Sequence, residues 1–350
     1  MNDREVNLLE QYDVEVLKTR KGRGAILCET SRGCLIFKEY SGNDERLATQ
    51  NRLLTHLQET ADIRVESILP DREGNLCVKD RNGVRYILKT YAEGRECNIN
   101  DRAECLDSVR LLARLHSYME LDGAEIWPGE AESGSDSPRE EIAGKYLFSP
   151  AAEYDKRNRE LKRVRRYLKQ RSQKTWFEIR LQQSFDFFLD RAFTLAAEWA
   201  EYEKTRDRDE SPERKITFCH GDYQYHNLIR TAEGWFVVNF EKCVADDPVR
   251  DLYLLMRKLL EKSNWSVALG REILAAYEEK APLSALSRID LYYRLAYPEK
   301  FWKIVNFYYN SGKAWIPGRN LEKLEKVVEQ EKDKQYFLDT LFGTLNGDPG

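Results

Sequence analysis

The sequence predicts an α+β protein whose front portion is built of short antiparallel strands and whose larger remainder is mainly helical. Up to about residue 90, β-branched and aromatic runs alternate with glycine-containing turns, the pattern of strands joined by tight hairpins. Beyond Tyr91-Ala92-Glu93-Gly94 the apolar spacing lengthens from two residues to about 3.6, the helical period. With 350 residues, 41% of them hydrophobic, the chain can bury one large core or two moderate ones. A boundary is expected at this change of period, giving a β-rich lobe over 1–92 and a helical lobe over 93–350.

The expected elements follow in order. Val14–Lys18, Ala25–Thr30 and Cys34–Glu39 read as strands. Gly22 and Gly24 separate the first pair, and Ser31-Arg32-Gly33 the second. Leu47, Leu54 and Leu57 recur at helical spacing over Asp44–Glu59, with Asn43 or Asp44 available as cap. Strands are expected again at Ile63–Leu69, Asn75–Lys79 and Val84–Thr90, the last two joined by Asn82-Gly83. Leu106, Val109, Leu112, Ala113 and His116 line one face of the next helix. Glu120–Glu141 carries eight acidic residues against one basic and reads as a loop, as does charged Thr205–Lys215. Lys156–Lys174 is the reverse: ten Lys or Arg against Glu160 alone, with Leu161, Val164 and Leu168 keeping an apolar stripe. It reads as a basic amphipathic helix, either a solvated face or a surface for phosphate, nucleic acid or an acidic partner.

Charge and composition exclude several classes. A net charge of -4 gives no global attraction to nucleic acid or anionic membrane. No run approaches the roughly 18 apolar residues of a membrane span, and Met1-Asn2-Asp3-Arg4-Glu5 opens no apolar signal core, so cytosolic synthesis is expected. The seven cysteines are scattered, without a C-x-x-C pair, and read as buried small hydrophobes.

The chemistry-bearing signal is His220-Gly221-Asp222-Tyr223-Gln224-Tyr225-His226-Asn227, preceded by the apolar run Ile216-Thr217-Phe218-Cys219. An Asp followed five positions later by an Asn on one compact loop is the spacing phosphoryl transfer uses. The Asp accepts the proton of an attacking hydroxyl, and the Asn oxygen holds magnesium. Asp222 and Asn227 fit those roles.

With this loop the chain resembles the aminoglycoside phosphotransferases, and further residues narrow the likeness to CotS-type spore coat proteins. These residues are Leu35-Ile36-Phe37-Lys38, the stretch Tyr86–Cys97, Leu112-Ala113-Arg114-Leu115-His116, and Tyr297-Pro298-Glu299-Lys300-Phe301-Trp302-Lys303 with Asn306–Asn310 and Trp315. The resemblance implies a bilobal protein-kinase-like fold, with ATP and Mg2+ as cofactors. It places Lys38 on the nucleotide phosphates, Gly22 and Gly24 over them, Tyr91 at the hinge, and Asp251 against the catalytic-loop backbone. Asn227, Asn239 and Glu241 stand in the metal-binding positions.

Two departures from the family pattern bear on activity. Asn239 stands where an Asp is expected to bind metal, and a neutral amide lacks the charge that holds a hard divalent cation. Gln50 stands where a glutamate would orient Lys38. Glu241, Asp246 and Asp247 are the nearby carboxylates that could restore charge. Two functions stay open: a spore coat protein with an impaired site and a structural or binding role, or an active ATP-dependent phosphotransferase acting on a hydroxyl of a small molecule or coat component. The resemblance makes other coat proteins or a small-molecule acceptor the expected partners, with the spore coat as destination. Membrane binding is not expected. Nucleic-acid binding through the basic helix is the remote third reading.

Overall fold

A computed structural model describes residues 7–22, 24–120, 150–206, 216–310 and 317–343. The chain divides into two compact units. One comprises Met1–Leu147, Ile216–Leu255 and Glu279–Ala281, and the other Phe148–Lys215, Met256–Glu278 and Pro282–Gly350. The division does not fall at residue 92, because strands of the 216–255 segment hydrogen-bond to strands of the N-terminal segment. The two charged loops expected at 120–141 and 205–215 lie almost wholly outside the described residues, as does Trp315.

In the first unit, β1 (Val16–Lys21), β2 (Ala25–Thr30), β3 (Gly33–Glu39), β5 (Ile68–Leu69), β6 (Val78–Lys79) and β7 (Arg85–Thr90) form an antiparallel sheet in the order β1-β2-β3-β7-β5, with β6 also on β7. One face closes an apolar core, in which Phe37 stacks on Tyr86 at 5.2 Å and meets Tyr12 edge-on at 6.2 Å. Strand alternation gives the other face a different character. Lys38 pairs with Ile87 and Ile36 with Lys89, so both lysines leave the β3–β7 ladder on the face opposite Phe37 and Leu88. Helix α1 (Asp44–Thr60) follows, capped by Asn43, whose side chain accepts from the Arg46 amide at 2.9 Å.

The strand expected over Ile63–Leu69 is two short pieces in two different sheets. β4 (Arg64–Val65) pairs in parallel with β11 (Gly234–Val237), whereas β5 pairs with β7. The break leaves Glu66 between them, fully buried. β10 (Leu228–Thr231) completes the second sheet by bridging β11 to β8 (Arg95–Glu96), and β9 (Thr217–Cys219) pairs with β12 (Val244–Asp246). Helix α2 (Arg102–Tyr118), capped by Asp101, buries Val109, Leu112, Ala113 and His116 of the face predicted for it, while Leu106 is half-buried.

The second unit is helical. It holds α3 (Pro150–Gln170), α4 (Trp176–Arg206), the second half of α5 (Val249–Lys262), α6 (Val267–Glu278), α7 (Ala285–Ala296), α8 (Glu299–Asn310), α9 (Pro317–Glu329) and α10 (Glu331–Phe342). Its core is aromatic: Tyr154 stacks on Tyr297 at 4.3 Å and Phe188 on Phe301 at 4.4 Å. The basic helix forms as expected, but several of its cations are already paired: Arg159 with Asp155, Arg165 with Asp186, Arg171 with Glu178 and Arg157 with Glu153. That pattern is closer to a solvated, internally compensated face than to a free basic stripe.

Candidate functional site

The loop after β9 is shaped by backbone constraints before any side chain acts. Gly221 has φ +77°, and a Cβ there would lie 1.9 Å from the Lys242 carbonyl oxygen, so only glycine fits. Asp251 holds the loop from below, as the family resemblance implied. Its buried carboxylate accepts from the amides of His220 at 2.5 Å and Gly221 at 2.9 Å, and lies 3.4 Å from His116 Nε2. Burial works to raise the Asp251 pKa, and the His116 contact with the other donors outweighs it, keeping the carboxylate ionised. His220 lies 2.9 Å from the Val238 carbonyl through Nε2 and accepts the Asp222 amide on Nδ1 at 3.2 Å. His116, Cys219 and Asp251 also lie close enough together to suggest a metal cluster. The carboxylate is already satisfied by amides, however, and burial keeps the Cys219 thiol protonated, bonded toward the carbonyls of Asp246 and Asp247. This trio is scaffold.

The predicted site residues converge on one hydrogen-bonded chain. Asp222 accepts from Gln224 Nε2 at 2.5 Å and from Lys242 Nζ at 2.9 Å, so both of its oxygens are engaged. Asn227 donates to the Asp222 carbonyl at 2.8 Å and accepts on Oδ1 from Asn239 Nδ2, also at 2.8 Å. Asn239, in the left-handed region at φ 70°, accepts on Oδ1 from Lys89 Nζ at 3.2 Å. Lys89 also donates to Glu66 and Glu241, each at 2.7 Å. Lys38 reaches the same Glu241 oxygen at 3.0 Å. The Gly22–Gly24 turn immediately precedes Ala25, the cross-strand partner of Lys38, and so adjoins it. Tyr91, past the end of β7, lies at the far end of the β3–β7 ladder, its amide on the Cys34 carbonyl.

Two expectations can be set against this geometry. The sequence put the ion pair of Lys38 in doubt because α1 presents Gln50 where a glutamate is usual; Lys38 takes Glu241, from the segment after β11. Gln50 is fully buried, and neither atom of its amide has a hydrogen-bond partner among the described residues. Glu241 was a candidate to restore charge for a metal, but its charge is spent on two ammonium groups. Burial pushes the Glu241 carboxyl up, and Lys89 and then Lys38 outweigh that, holding its pKa at about 2.

Lys89 and Glu66 are the residues that sequence reasoning missed. Lys89 lies fully buried between two carboxylates, and their attraction outweighs the burial that would lower its proton affinity. Glu66 accepts Lys89 and also the backbone amides of Asn239 at 2.9 Å and Phe240 at 3.1 Å, which ties it to the metal-type segment. The available signal was a lysine inside the apolar strand run Tyr86-Ile87-Leu88-Lys89, where a charge needs a buried partner.

This donor set does not fit a divalent cation. Magnesium needs free oxygen lone pairs, with at least one carboxylate among them, yet here Asn227 Oδ1, Asn239 Oδ1 and one Glu241 oxygen each face an N–H donor. Turning the Asn239 amide over would set its NH2 against the Lys89 ammonium, so the observed orientation is the one chemistry permits. Lys38, Lys89 and Lys242 balance Glu66, Glu241 and Asp222, leaving no net negative charge to attract a cation.

Comparison with known proteins places the chain. Residues 22–292 match the model of the phosphotransferase enzyme family, most of the sequence and all of the loop just described. The chain belongs to that family. A segment of 126 residues is 30% identical to spore coat protein S of Bacillus subtilis (strain 168), spanning 35% of this chain and 36% of that protein. Among solved structures, an aminoglycoside phosphotransferase from Alicyclobacillus acidocaldarius superposes with a TM-score of 0.75 at 16% identity, covering 97% of this chain and 95% of the other. Spectinomycin phosphotransferase, solved with ADP and its antibiotic, gives a TM-score of 0.62 at 10% identity, covering 95% and 97%. A choline/ethanolamine kinase family protein from Mesorhizobium loti gives 0.52 at 13%, covering 95% of each chain. The α+β fold, with an antiparallel sheet toward the N-terminus and mostly helices later in the chain, is therefore that of the phosphotransferases.

Proposed function

We propose that this family member is a spore coat component whose phosphotransferase site is impaired, acting through structure or binding rather than turnover. The observation that carries the proposal is the Lys89 ammonium, which occupies the oxygens of Asn239 and Glu241 that a catalytic metal would need. Asp222, the carboxylate expected to take a proton from an acceptor hydroxyl, is ion-paired to Lys242 and hydrogen-bonded by Gln224. Burial would raise its pKa, but Lys242 outweighs burial, and a carboxyl held below its usual range is the weaker base. The likeness to spore coat protein S supports the location, and other coat proteins are the partners this reading proposes. Nucleotide phosphates remain compatible with Lys38, which is partly exposed and bonded to one carboxylate.

Nucleotide binding with and without magnesium, and ATP turnover in wild type and Asp222→Asn, test this reading. Binding that is indifferent to magnesium, with no turnover, is the expected result. The chain would instead be an active phosphotransferase if wild type consumed ATP and Asp222→Asn did not. Because Lys89 faces position 239, Asn239→Asp alone is expected to deepen the ion pairing rather than create a metal site. A large gain in magnesium-dependent binding from that single substitution would contradict the proposal.

A further inference from the structure

Among the described residues, the large apolar side chains that stay exposed gather, Leu17 apart, in the second unit. Along α4 they are Trp176, Ile179, Phe187 and Phe193. Trp176 is 83% exposed and Phe187 56%, whereas the opposite face of the same helix carries Phe177, Leu181, Phe185 and Phe188 into the core. At 3.6 residues per turn, Trp176, Ile179 and Phe187 fall within one narrow sector, and Phe193 borders it on the Ile179 side. The result is an apolar stripe about 26 Å long on a helix whose other face already serves the fold. Single exposed apolar residues are ordinary, but a continuous stripe of them marks a surface made for contact.

Helix α3 borders this stripe with positive charge. Arg165 bonds Asp186 across the two helices, and Asp186 lies on the row of Ile179 and Phe193, midway between them. Lys162 and Lys169 stand about one turn to either side of Arg165, and Arg166 follows it. All three are exposed, and none has a hydrogen bond or ion pair among the described residues. They belong to the part of the basic helix that internal pairing leaves uncompensated. We propose that α3 and α4 together dock an acidic amphipathic helix of a partner protein. Its apolar edge would lie on Trp176, Ile179 and Phe187, and its carboxylates against Lys162, Arg166 and Lys169. A straight stripe of about five turns, with cations spaced four and three residues apart along one side, has the dimensions of a single helix. An anionic bilayer fits less well, because Asp190 lies exposed within the stripe and would have to enter the headgroups. Even with Asp190 the surface is positive, and a discrete helix can leave that carboxylate in water. The surface stands whether or not the chain turns over ATP, since it shares no residue with the contacts around Asp222.

Fluorescence anisotropy tests the surface, with the full chain titrated at low salt into a labelled synthetic helix of about 20 residues, leucine along one edge and glutamate elsewhere. One control peptide keeps the leucine edge and replaces glutamate by lysine; the other keeps the acidic composition and scrambles the edge. Wild type is expected to bind the acidic helix saturably and at least about tenfold more tightly than either control. Trp176→Ser combined with Phe187→Ser should weaken that binding by about tenfold or more and leave the unfolding temperature unchanged, because both side chains are exposed. Charge reversal by Lys162→Glu with Lys169→Glu should weaken the acidic peptide and strengthen the lysine one. Lys38→Met, in the other unit, should bind as wild type does. No binding of the acidic helix, equal binding of the controls, or undiminished binding in either paired variant would overturn the proposal. So would Trp176-dependent binding to phosphatidylglycerol vesicles without peptide binding, which marks a membrane surface. Self-association in sedimentation that Trp176→Ser with Phe187→Ser abolishes would overturn it too, by assigning the face to a second copy of the chain.

Discussion

At the scale of single residues, the site is governed by one buried cation. Lys89 has three oxygen partners, and removing it leaves Glu66 charged and buried with two backbone amides but no cation against it. Lys89→Met is expected to lower unfolding stability by roughly 3–5 kcal/mol, measured by urea denaturation, and adding Glu66→Gln should recover a substantial part. Strict additivity of the two losses would show that the residues are not energetically coupled. Gln50 gives the opposite case. Its amide is buried with both polar atoms unmatched among the described residues, so Gln50→Leu should be neutral or stabilising by about 1 kcal/mol. A loss above 2 kcal/mol (on the scale of breaking a made hydrogen bond) would show that this amide has a partner in solution. The Asp222–Asn227 loop was legible from residue types and spacing, and Asn239, which the family resemblance added, hydrogen-bonds to Asn227. Lys89 was not legible, because the same letter serves an exposed strand lysine and a buried one.

At the scale of elements, the loop depends on its turn. Gly221→Ala would force a side chain into the Lys242 carbonyl at a positive φ, and a loss on the order of 3–5 kcal/mol is expected in thermal or urea unfolding. A variant of near wild-type stability would mean that the segment after β11 yields easily. The hairpins and caps could be read from sequence because their chemistry is local: β2 spans the predicted Ala25–Thr30, and Asn43 caps α1. The Ile63–Leu69 strand could not be read correctly. Its apolar pattern was sound, but its division between two sheets depends on β11 and β7, which lie far along the chain.

At the scale of the whole molecule, buried carboxylates kept ionised by cations make stability fall in acid. Glu241 is held at about 2 against an unfolded value near 4.5, and Glu299 is also depressed: burial opposes the shift, and Arg257 and then Lys303 outweigh it. A group with a lowered folded pKa contributes its stability fully above the unfolded pKa and loses it as pH falls through the folded one. The urea midpoint should therefore hold steady from pH 7 to about 5 and decline from about 4.5 toward 2. An unchanged midpoint at pH 3 would show that these pairs do not stabilise the fold.

The amino-acid sequence by itself determined the α+β class, the opening hairpin strands with the helix after them, and the Asp222–Asn227 loop. Each of these is written in local spacing, turn chemistry or residue type, whereas the position expected of Asn239 came from the family resemblance. Only the tertiary structure decided what those groups do to one another. Lys89 meets Glu66 across 23 residues and Glu241 across 152, and no local pattern records such a pairing. A carboxylate's readiness to bind metal or take a proton is set by the charges within a few ångströms of it, and folding alone chooses those neighbours.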